Sequence, residues 1–307
     1  MQLTLRQLEI FRAIAGAGST AEAAKQLPLS QSATSAALLE LESALKVRLF
    51  DRVGKRLLLN DHGRTLLPAA LSLLDGAGAV ERAFGQSAGP PVDIQLFAST
   101  TVGNYLLPGL IAGFARTHPG ARVDLRVGNT QDAVNAVLNF ETDVGFIEGP
   151  CHATDVKVTP WLEDELVLVA SPEHPLARAA KRARLLVDQL REARWLMREP
   201  GSGTRETVDH LLLPHLAELA SVITMGSPEA IRNATIEGLG ISCISRYVVQ
   251  EALTDKRLTL LPTKLPRLTR RLMLIHHAKK LLSSSLERFI AHCIEYAELH
   301  RRQDFEI

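Results

Sequence analysis

Apolar positions recur at helical spacing from the start of the chain: Leu5, Leu8 and Phe11, with Ile10 and Ile14 beside them, predict a helix with a broad apolar face that Gly16 and Gly18 end. Ser19 followed three residues later by Glu22 has the capping-box spacing, in front of a helix of barely two turns over 21–27 that Pro28 closes. Ser30 can cap a third helix starting at Gln31, whose polar first turn gives way to the amphipathic run 38–45. A short helix, a tight turn and a longer helix make a helix-turn-helix. Two apolar segments, 47–50 and 57–59, then flank residues 51–56, which read as a hairpin with a basic tip and so as a wing.

From 61 to about 84 the pattern turns helical again. Leu66, Ala70, Leu73, Ala77, Val80 and Phe84 alternate four and three apart, the spacing of a coiled-coil seam, and predict a dimerisation helix. The bland alternative is a stripe packed on the chain's own core, and Pro68, Gly76 and Gly78 weaken a long regular helix. Breaker residues at 86–91 read as a linker. Beyond it, strands and helices alternate: strand 93–99, helix 103–117, strand 121–127, helix 131–139 and strand 144–147. Then follow 165–170, 195–197, 204–213, 220–224, 228–237, 241–244, 271–276 and a C-terminal helix from Ser284. The reading is a multidomain chain of mixed α+β and α/β class: a winged helix-turn-helix over 1–60, a linker helix and hinge over 61–90, and a parallel-rich α/β sensor domain in two lobes over 91–307.

Composition changes this picture little. At 46% hydrophobic and 22% charged, the 307 residues have the balance of a folded globular chain, and the net charge is +1. No run approaches the ~20 apolar residues of a membrane helix, and Arg6, Glu9 and Arg12 interrupt any signal-peptide pattern, so a cytoplasmic location without a membrane partner is expected. Cys151, Cys243 and Cys293 are widely spaced and lack metal-ligand partners. They read as buried small hydrophobes, with no metal or cofactor expected and a redox-sensing cysteine as the minority option.

The string Ser19-Thr20-Ala21-Glu22-Ala23-Ala24-Lys25-Gln26-Leu27, then Ser30-Gln31-Ser32-Ala33-Thr34-Ser35, Leu41-Glu42, Leu49-Phe50-Asp51-Arg52 and Gly63, resembles the N-terminal signature of LysR-type transcription regulators. The remainder is similar to that family's effector-binding domain at Ser99-Thr100-Thr101, Leu107-Pro108, Phe114, His118-Pro119, Asp143-Val144-Gly145, His174-Pro175-Leu176 and Glu237-Gly238-Leu239-Gly240-Ile241. The resemblance implies a two-lobed domain like periplasmic binding proteins and a tetramer built from two dimers. There are two departures. Lys46 stands where the family usually ends the recognition helix with Gly, and Ala36-Ala37 replace a larger polar residue.

A recognition helix in the major groove presents its N-terminal side chains to base edges, which nominates Gln31, Ser32, Thr34 and Ser35, with Thr20 on the preceding helix. Gln can bond adenine in two places, and the methyls of Ala33 and Thr34 can touch thymine. Arg52, Lys55 and Arg56 on the wing suit phosphate or minor-groove contacts. One unit buries too little for tight specific binding, so a dimer reading two half-sites on double-stranded DNA is expected, with RNA polymerase a further candidate partner.

Three segments each join a strand end, a hydroxyl and a helix start: Ser99-Thr100-Thr101, Gly201-Ser202-Gly203-Thr204 and Gly226-Ser227-Pro228-Glu229. Helix N-termini attract anions, so a small anionic effector is expected, held by Ser99, Thr100, Thr101, Ser202, Gly203, Thr204 and Ser227, with Arg205 or Arg198 adding charge. Glu148 would select a protonated or hydroxylated ligand or pair with an Arg, the structural role being the favoured one. The competing readings are a solute-binding or sensor protein without DNA readout, which leaves residues 1–60 idle, and an enzyme. The sequence holds no nucleophile elbow, Walker-type phosphate loop, zinc-ligand pair or full G-x-G-x-x-G after a strand, so no catalytic residue is nominated.

Overall fold

The computed structural model describes residues 3–54, 56–84 and 92–303, which divide into two compact units. The first contains α1 (Leu5–Ala17), α2 (Thr20–Gln26), α3 (Gln31–Leu45), β1 (Phe50–Val53), β2 (Arg56–Leu59) and α4 (Asp61–Phe84). Side chains set each boundary. Thr4 Oγ accepts from the Gln7 amide while Gln7 Oε1 accepts from the Thr4 amide, a full capping box. Gly18 ends α1 in the left-handed region at φ 67°. Ser19 accepts from the Glu22 amide, but Glu22 turns to Lys25 at 2.8 Å, so only half of the expected box forms. Ser30 accepts from the Ala33 amide at 3.1 Å. Lys46 does adopt the left-handed cap, at φ 59°, a conformation that costs a non-glycine residue about 1 kcal/mol or more.

Leu8, Phe11, Ile14, Leu38, Leu41 and Leu49 form the core of this unit, each burial stabilising by about 1.5–3 kcal/mol. The wing is shorter-tipped than expected. Its first strand is Phe50–Val53 rather than 47–50, so Asp51 and Arg52 lie on a strand and Val53 pairs with Arg56. Lys55 lies outside the described residues. The α4 helix runs unbroken through Pro68, Gly76 and Gly78. It starts close against the wing: a Cβ at Gly63 would stand 2.2 Å from the Leu49 carbonyl oxygen, which only glycine tolerates. The linker expected at 86–91 lies outside the described residues.

The second unit opens with β3 (Asp93–Ser99), α5 (Thr100–Tyr105), α6 (Leu107–Thr117), β4 (Arg122–Gly128), α7 (Thr130–Leu138) and β5 (Val144–Glu148). The helix expected over 103–117 is two, broken at Leu106, because Pro108 has no N–H to bond back to the preceding turn. Next come β6 (Val156–Ala170), α8 (Pro175–Ala180), α9 (Val187–Arg191), β7 (Arg194–Arg198), α10 (Gly203–Leu211), α11 (Leu213–Leu216), β8 (Ser221–Met225), α12 (Pro228–Ile236), β9 (Ile241–Ser245), α13 (Arg246–Thr254), β10 (Thr259–Leu260), β11 (Leu268–His277) and α14 (Ser284–Gln303). The strand expected over 165–170 covers only the later part of β6, and α8, α9, α13 and β10 have no counterpart in the pattern read from sequence.

Hydrogen-bonded strand order is β4-β3-β5-β11-β6-β9-β7-β8. The flanks pair in parallel, β3 with β4 and β5, β7 with β8 and β9, while β11 pairs antiparallel with β5 and β6 antiparallel with β9. Thus β6 and β11 are the two crossings between a first lobe around β3–β5 and a second around β7–β9. Each lobe has its own apolar cluster, Ala133, Val137, Ile147 and Ile275 in the first, Trp195, Leu212, Leu216 and Ile241 among those of the second. The cleft between lobes is framed by strand ends and the helices that follow them, the usual ligand position in open α/β sheets.

Candidate DNA interface and effector cleft

On α3 the sequence-nominated residues separate by face. Gln31, Ser32 and Ala33 are exposed and Ser35 is half-buried, as is Thr20 at the start of α2. Ser32 Oγ lies 2.9 Å from Ser30 Oγ, so this hydroxyl also braces the cap. Thr34 departs from the expectation of an exposed contact: it is fully buried and its hydroxyl donates to the Ser30 carbonyl at 3.0 Å, so it supports the helix start and lies off the exposed face of α3. Its position four and seven residues before Leu38 and Leu41, both buried, was the signal. Arg52 and Arg56 are exposed on opposite strands of the wing.

Sequence reasoning passed over what Glu42 does. Its carboxylate is buried at the end of α3, accepting from the Leu49 amide through Oε1 and from Arg48 through Oε2, both at 2.8 Å. A buried N–H needs a partner, and this carboxylate ties the recognition helix to the root of the wing.

In the second unit Glu148 is the centre. It is 1% exposed at the end of β5. The Thr101 amide donates to its Oε1 at 2.9 Å, the Thr204 hydroxyl donates to Oε2 at 2.9 Å, and Arg270 Nη1 stands 2.7 Å from Oε2. Burial alone would raise the pKa of this carboxyl, but Arg270, Thr204 and Thr101 outweigh it and hold the group down at about 2. Arg270 Nε also donates to Asp164 Oδ2 at 2.8 Å, and Ser245 donates to Oδ1 at 2.7 Å. For Asp164 burial wins over Arg270 and pushes the pKa up. Of the two roles considered for Glu148, pairing with an arginine is therefore the one formed here. Its partner Arg270 is not among the residues the sequence nominated.

The glycine-rich turn before α10 fits against this centre. A Cβ at Gly203 would fall 1.7 Å from the Glu148 carbonyl oxygen, so Gly203 permits a close approach of backbone to backbone rather than to a ligand. Thr130 Oγ1 accepts from the Gly203 amide at 3.2 Å and donates to the Glu148 carbonyl at 3.3 Å, and the Gln131 amide donates to the Gly201 carbonyl at 3.1 Å. Ser202 is buried at the N-cap of α10 without a side-chain capping bond.

Several nominated groups are engaged elsewhere. Thr100 donates to the Gly128 carbonyl. Arg205 Nε reaches both oxygens of Asp209 at 2.9 Å, and Arg198 grips Glu199 through two 2.8 Å bonds, so the cation facing the cluster is Arg270 instead. Ser227 caps α12 and donates to Glu229. By contrast, Ser99 Oγ and Thr101 Oγ1, both buried beside Glu148, have no hydrogen-bond partner among the described residues. The side chains of Ser99 and Thr101 both lie near enough to Glu148 to help hold it ionised, but neither hydroxyl forms an aligned bond to it.

Both units resemble known proteins. Residues 5–64 match the bacterial regulatory helix-turn-helix protein, lysR family, and residues 88–298 match the LysR substrate binding domain. An HTH-type transcriptional regulator of Escherichia coli (strain K12), YeiE, is 50% identical over 293 residues, covering 95% of this chain and 98% of that protein. The CcmR regulatory domain of Synechocystis PCC6803 in complex with 2-PG superposes with a TM-score of 0.61 at 30% identity, over 67% of this chain and 97% of that one. A full-length OxyR variant from Pseudomonas aeruginosa shares the fold over 97% of this chain and 96% of its own, with a TM-score of 0.75 at 22% identity.

Proposed function

The chain belongs to the LysR family of bacterial transcription regulators, and on that premise we propose that its effector is a small anion received between the two lobes at Ser99 and Thr101. The observation that carries the proposal is the pair of buried, unpartnered hydroxyls, Ser99 Oγ and Thr101 Oγ1, beside donors that already converge on one carboxylate. A buried hydroxyl without a partner costs about 1–3 kcal/mol, which a ligand oxygen would recover. The CcmR regulatory domain binds 2-PG on the same fold, which supports a small molecule in this cleft.

The protein is a DNA-binding transcription regulator. In our reading Gln31, Ser32 and Ser35 approach base edges, Thr20, Arg52 and Arg56 hold phosphates, and residues 1–60, 61–90 and 91–307 divide DNA reading, pairing and sensing. A homodimer pairs through the exposed part of the α4 seam. Leu73 and Val80 are 55% and 60% exposed, whereas Leu66 and Ala70 are absorbed by the N-terminal core. Phe84 lies outside the described side chains. Two dimers form the tetramer, and RNA polymerase is the partner through which bound protein changes transcription. No helix among the described residues is long and apolar enough to cross a membrane, and a DNA ligand puts the work in the cytoplasm. Effector binding would shift the lobes and, through them, the spacing of half-sites read, because the ligand favours one arrangement over the other.

The test is footprinting on the promoter beside the protein's own gene across a salt series, with acetate, sulfate and phosphate added singly, for the wild type, Ser99→Ala and Thr101→Val. The reading requires helically phased protection whose extent changes with one anion, and loss of that change in both variants with protection retained. A response that both variants keep removes the site.

A further inference from the structure

Residues 99–105 have two ends that do different things. At one end lie the unpartnered hydroxyls of Ser99 and Thr101. Further along α5, Asn104 and Tyr105 cross to the second lobe. Asn104 Nδ2 donates to Glu229 Oε1 at 3.0 Å, and Tyr105 lies close enough to the same carboxylate to feel its charge. Ser227 donates to Glu229 Oε2 at 2.8 Å, so all of these donors converge on one half-buried side chain in the first turn of α12. Tyr105 also packs against the second-lobe cluster of Val248, Val249 and Ile231 and lies beside Arg232 of α12. The contact is polar at its rim and apolar beneath, and it belongs to the second unit alone.

We infer that Glu229 is a positioning residue that holds the lobes closed: by gripping Asn104, next to Tyr105 packed on the second-lobe cluster, it fixes α5, and with it the hydroxyls of Ser99 and Thr101, without touching the effector. The inference rests on the effector reading above for its consequence and on the Glu229 contacts alone for its mechanism. If the effector binds the closed arrangement, loosening the clasp lowers the closed fraction and weakens apparent affinity by that same factor. The carboxylate is held in its ionised form, burial being outweighed by Asn104, Ser227 and Tyr105, so the grip is a charge-assisted one at neutral pH.

Two variants test this from opposite sides, Asn104→Ala in the first lobe and Glu229→Ala in the second, together with the double variant, all in the full chain. Hydrogen exchange without any ligand is read at the amides of Thr100–Tyr105 and Pro228–Ile236. Each single variant should speed exchange in both segments about 5- to 10-fold, and the double variant should add little more, because both changes remove the same clasp. Loosening of α12 alone in Glu229→Ala, with α5 exchanging as in the wild type, would mean a local helix cap and overturns the inference. So does wild-type exchange in Asn104→Ala. Titration with whichever of acetate, sulfate or phosphate alters the footprint should then show about 5- to 10-fold weaker binding in either variant. Faster exchange with no anion bound by the wild type would strike the effector reading and leave the clasp standing.

Discussion

Arg270 Nη1 lies 2.7 Å from Glu148 Oε2 while Arg270 Nη2 lies 2.7 Å from Asp164 Oδ2, and all three side chains are at most 2% exposed. One guanidinium thus neutralises two carboxylates from different strands: Glu148 ends β5 in the first lobe, Asp164 sits on the crossing strand β6, and Arg270 on the crossing strand β11. A buried ion group of this kind is a weak source of net stability, but it is costly to break, because the remaining charges cannot reach water. It fixes the register of the crossings against the cleft.

Arg270→Met should therefore destabilise the second unit by about 3–5 kcal/mol and reverse the pH dependence of its stability. In the wild type Glu148 is depressed from 4.5 to about 2, so it contributes stability above its unfolded value that is lost as pH falls toward 2. Asp164, raised by burial, contributes in the opposite sense. Without Arg270, burial raises both carboxyls, and stability should fall as pH rises from about 4 to 7. Calorimetric unfolding across that range checks the sign; a variant that gains stability with rising pH as the wild-type Glu148 contribution does would contradict the assignment.

Glu42→Ala should cost about 1–3 kcal/mol by leaving the buried Leu49 amide without an acceptor. Glu42→Gln keeps a carbonyl oxygen for that amide and loses only the pairing with Arg48, whose side chain is 72% exposed, so it should cost under about 1 kcal/mol. Thermal unfolding of the two variants separates an anchored wing from a merely charged one. Equal losses would show that the Arg48 pair matters more than the Leu49 bond.

Thiol labelling of the folded protein should modify Cys151 and spare the other two. Cys243 is buried and its thiol is pushed up to about 12 by that burial, and Cys293 is raised further for the same reason, so neither offers thiolate near neutral pH. In denaturant all three should react. Rapid native labelling of Cys243 would revive the redox-sensing option for a thiol 7% exposed on β9.

The helix-turn-helix was legible because caps and apolar spacing agree: Ser30 does cap α3, and Leu8, Phe11 and Ile14 do form its supporting core. The polar heart of the cleft was not. Asp164 lies in the acidic run Glu163-Asp164-Glu165 and Arg270 beside Arg271, which look like solvated charge. Their neighbours held the signal: Leu162 and Leu166 flank Asp164 at two residues, Leu268 and Leu272 flank Arg270, and side chains two apart on a strand share a face. Each charged group occupies an inward position of its strand. What no local pattern could supply was that the two inward charges meet across 106 residues of chain.

The DNA face yields a prediction in which three residues behave differently. Arg52 is exposed on the wing, and in the phosphate role proposed for it Arg52→Ala should weaken specific and nonspecific DNA alike and lower the magnitude of the log–log salt slope by about 0.9 for each phosphate no longer neutralised. Gln31 is exposed at the first position of α3, and Gln31→Ala should cost about 1–3 kcal/mol on the specific site, relax base preference at one position per half-site, and leave the slope unchanged. Thr34 is close in sequence to this face but points into the core, where its hydroxyl meets the Ser30 carbonyl. Thr34→Val keeps the shape and removes that bond, so it should lower thermal stability by about 0.5–1.5 kcal/mol while base preference and salt slope stay as in the wild type. Binding isotherms on specific and scrambled duplexes at several salt concentrations separate the three. A base preference altered by Thr34→Val and untouched by Gln31→Ala would mean that a different face of α3 meets the groove.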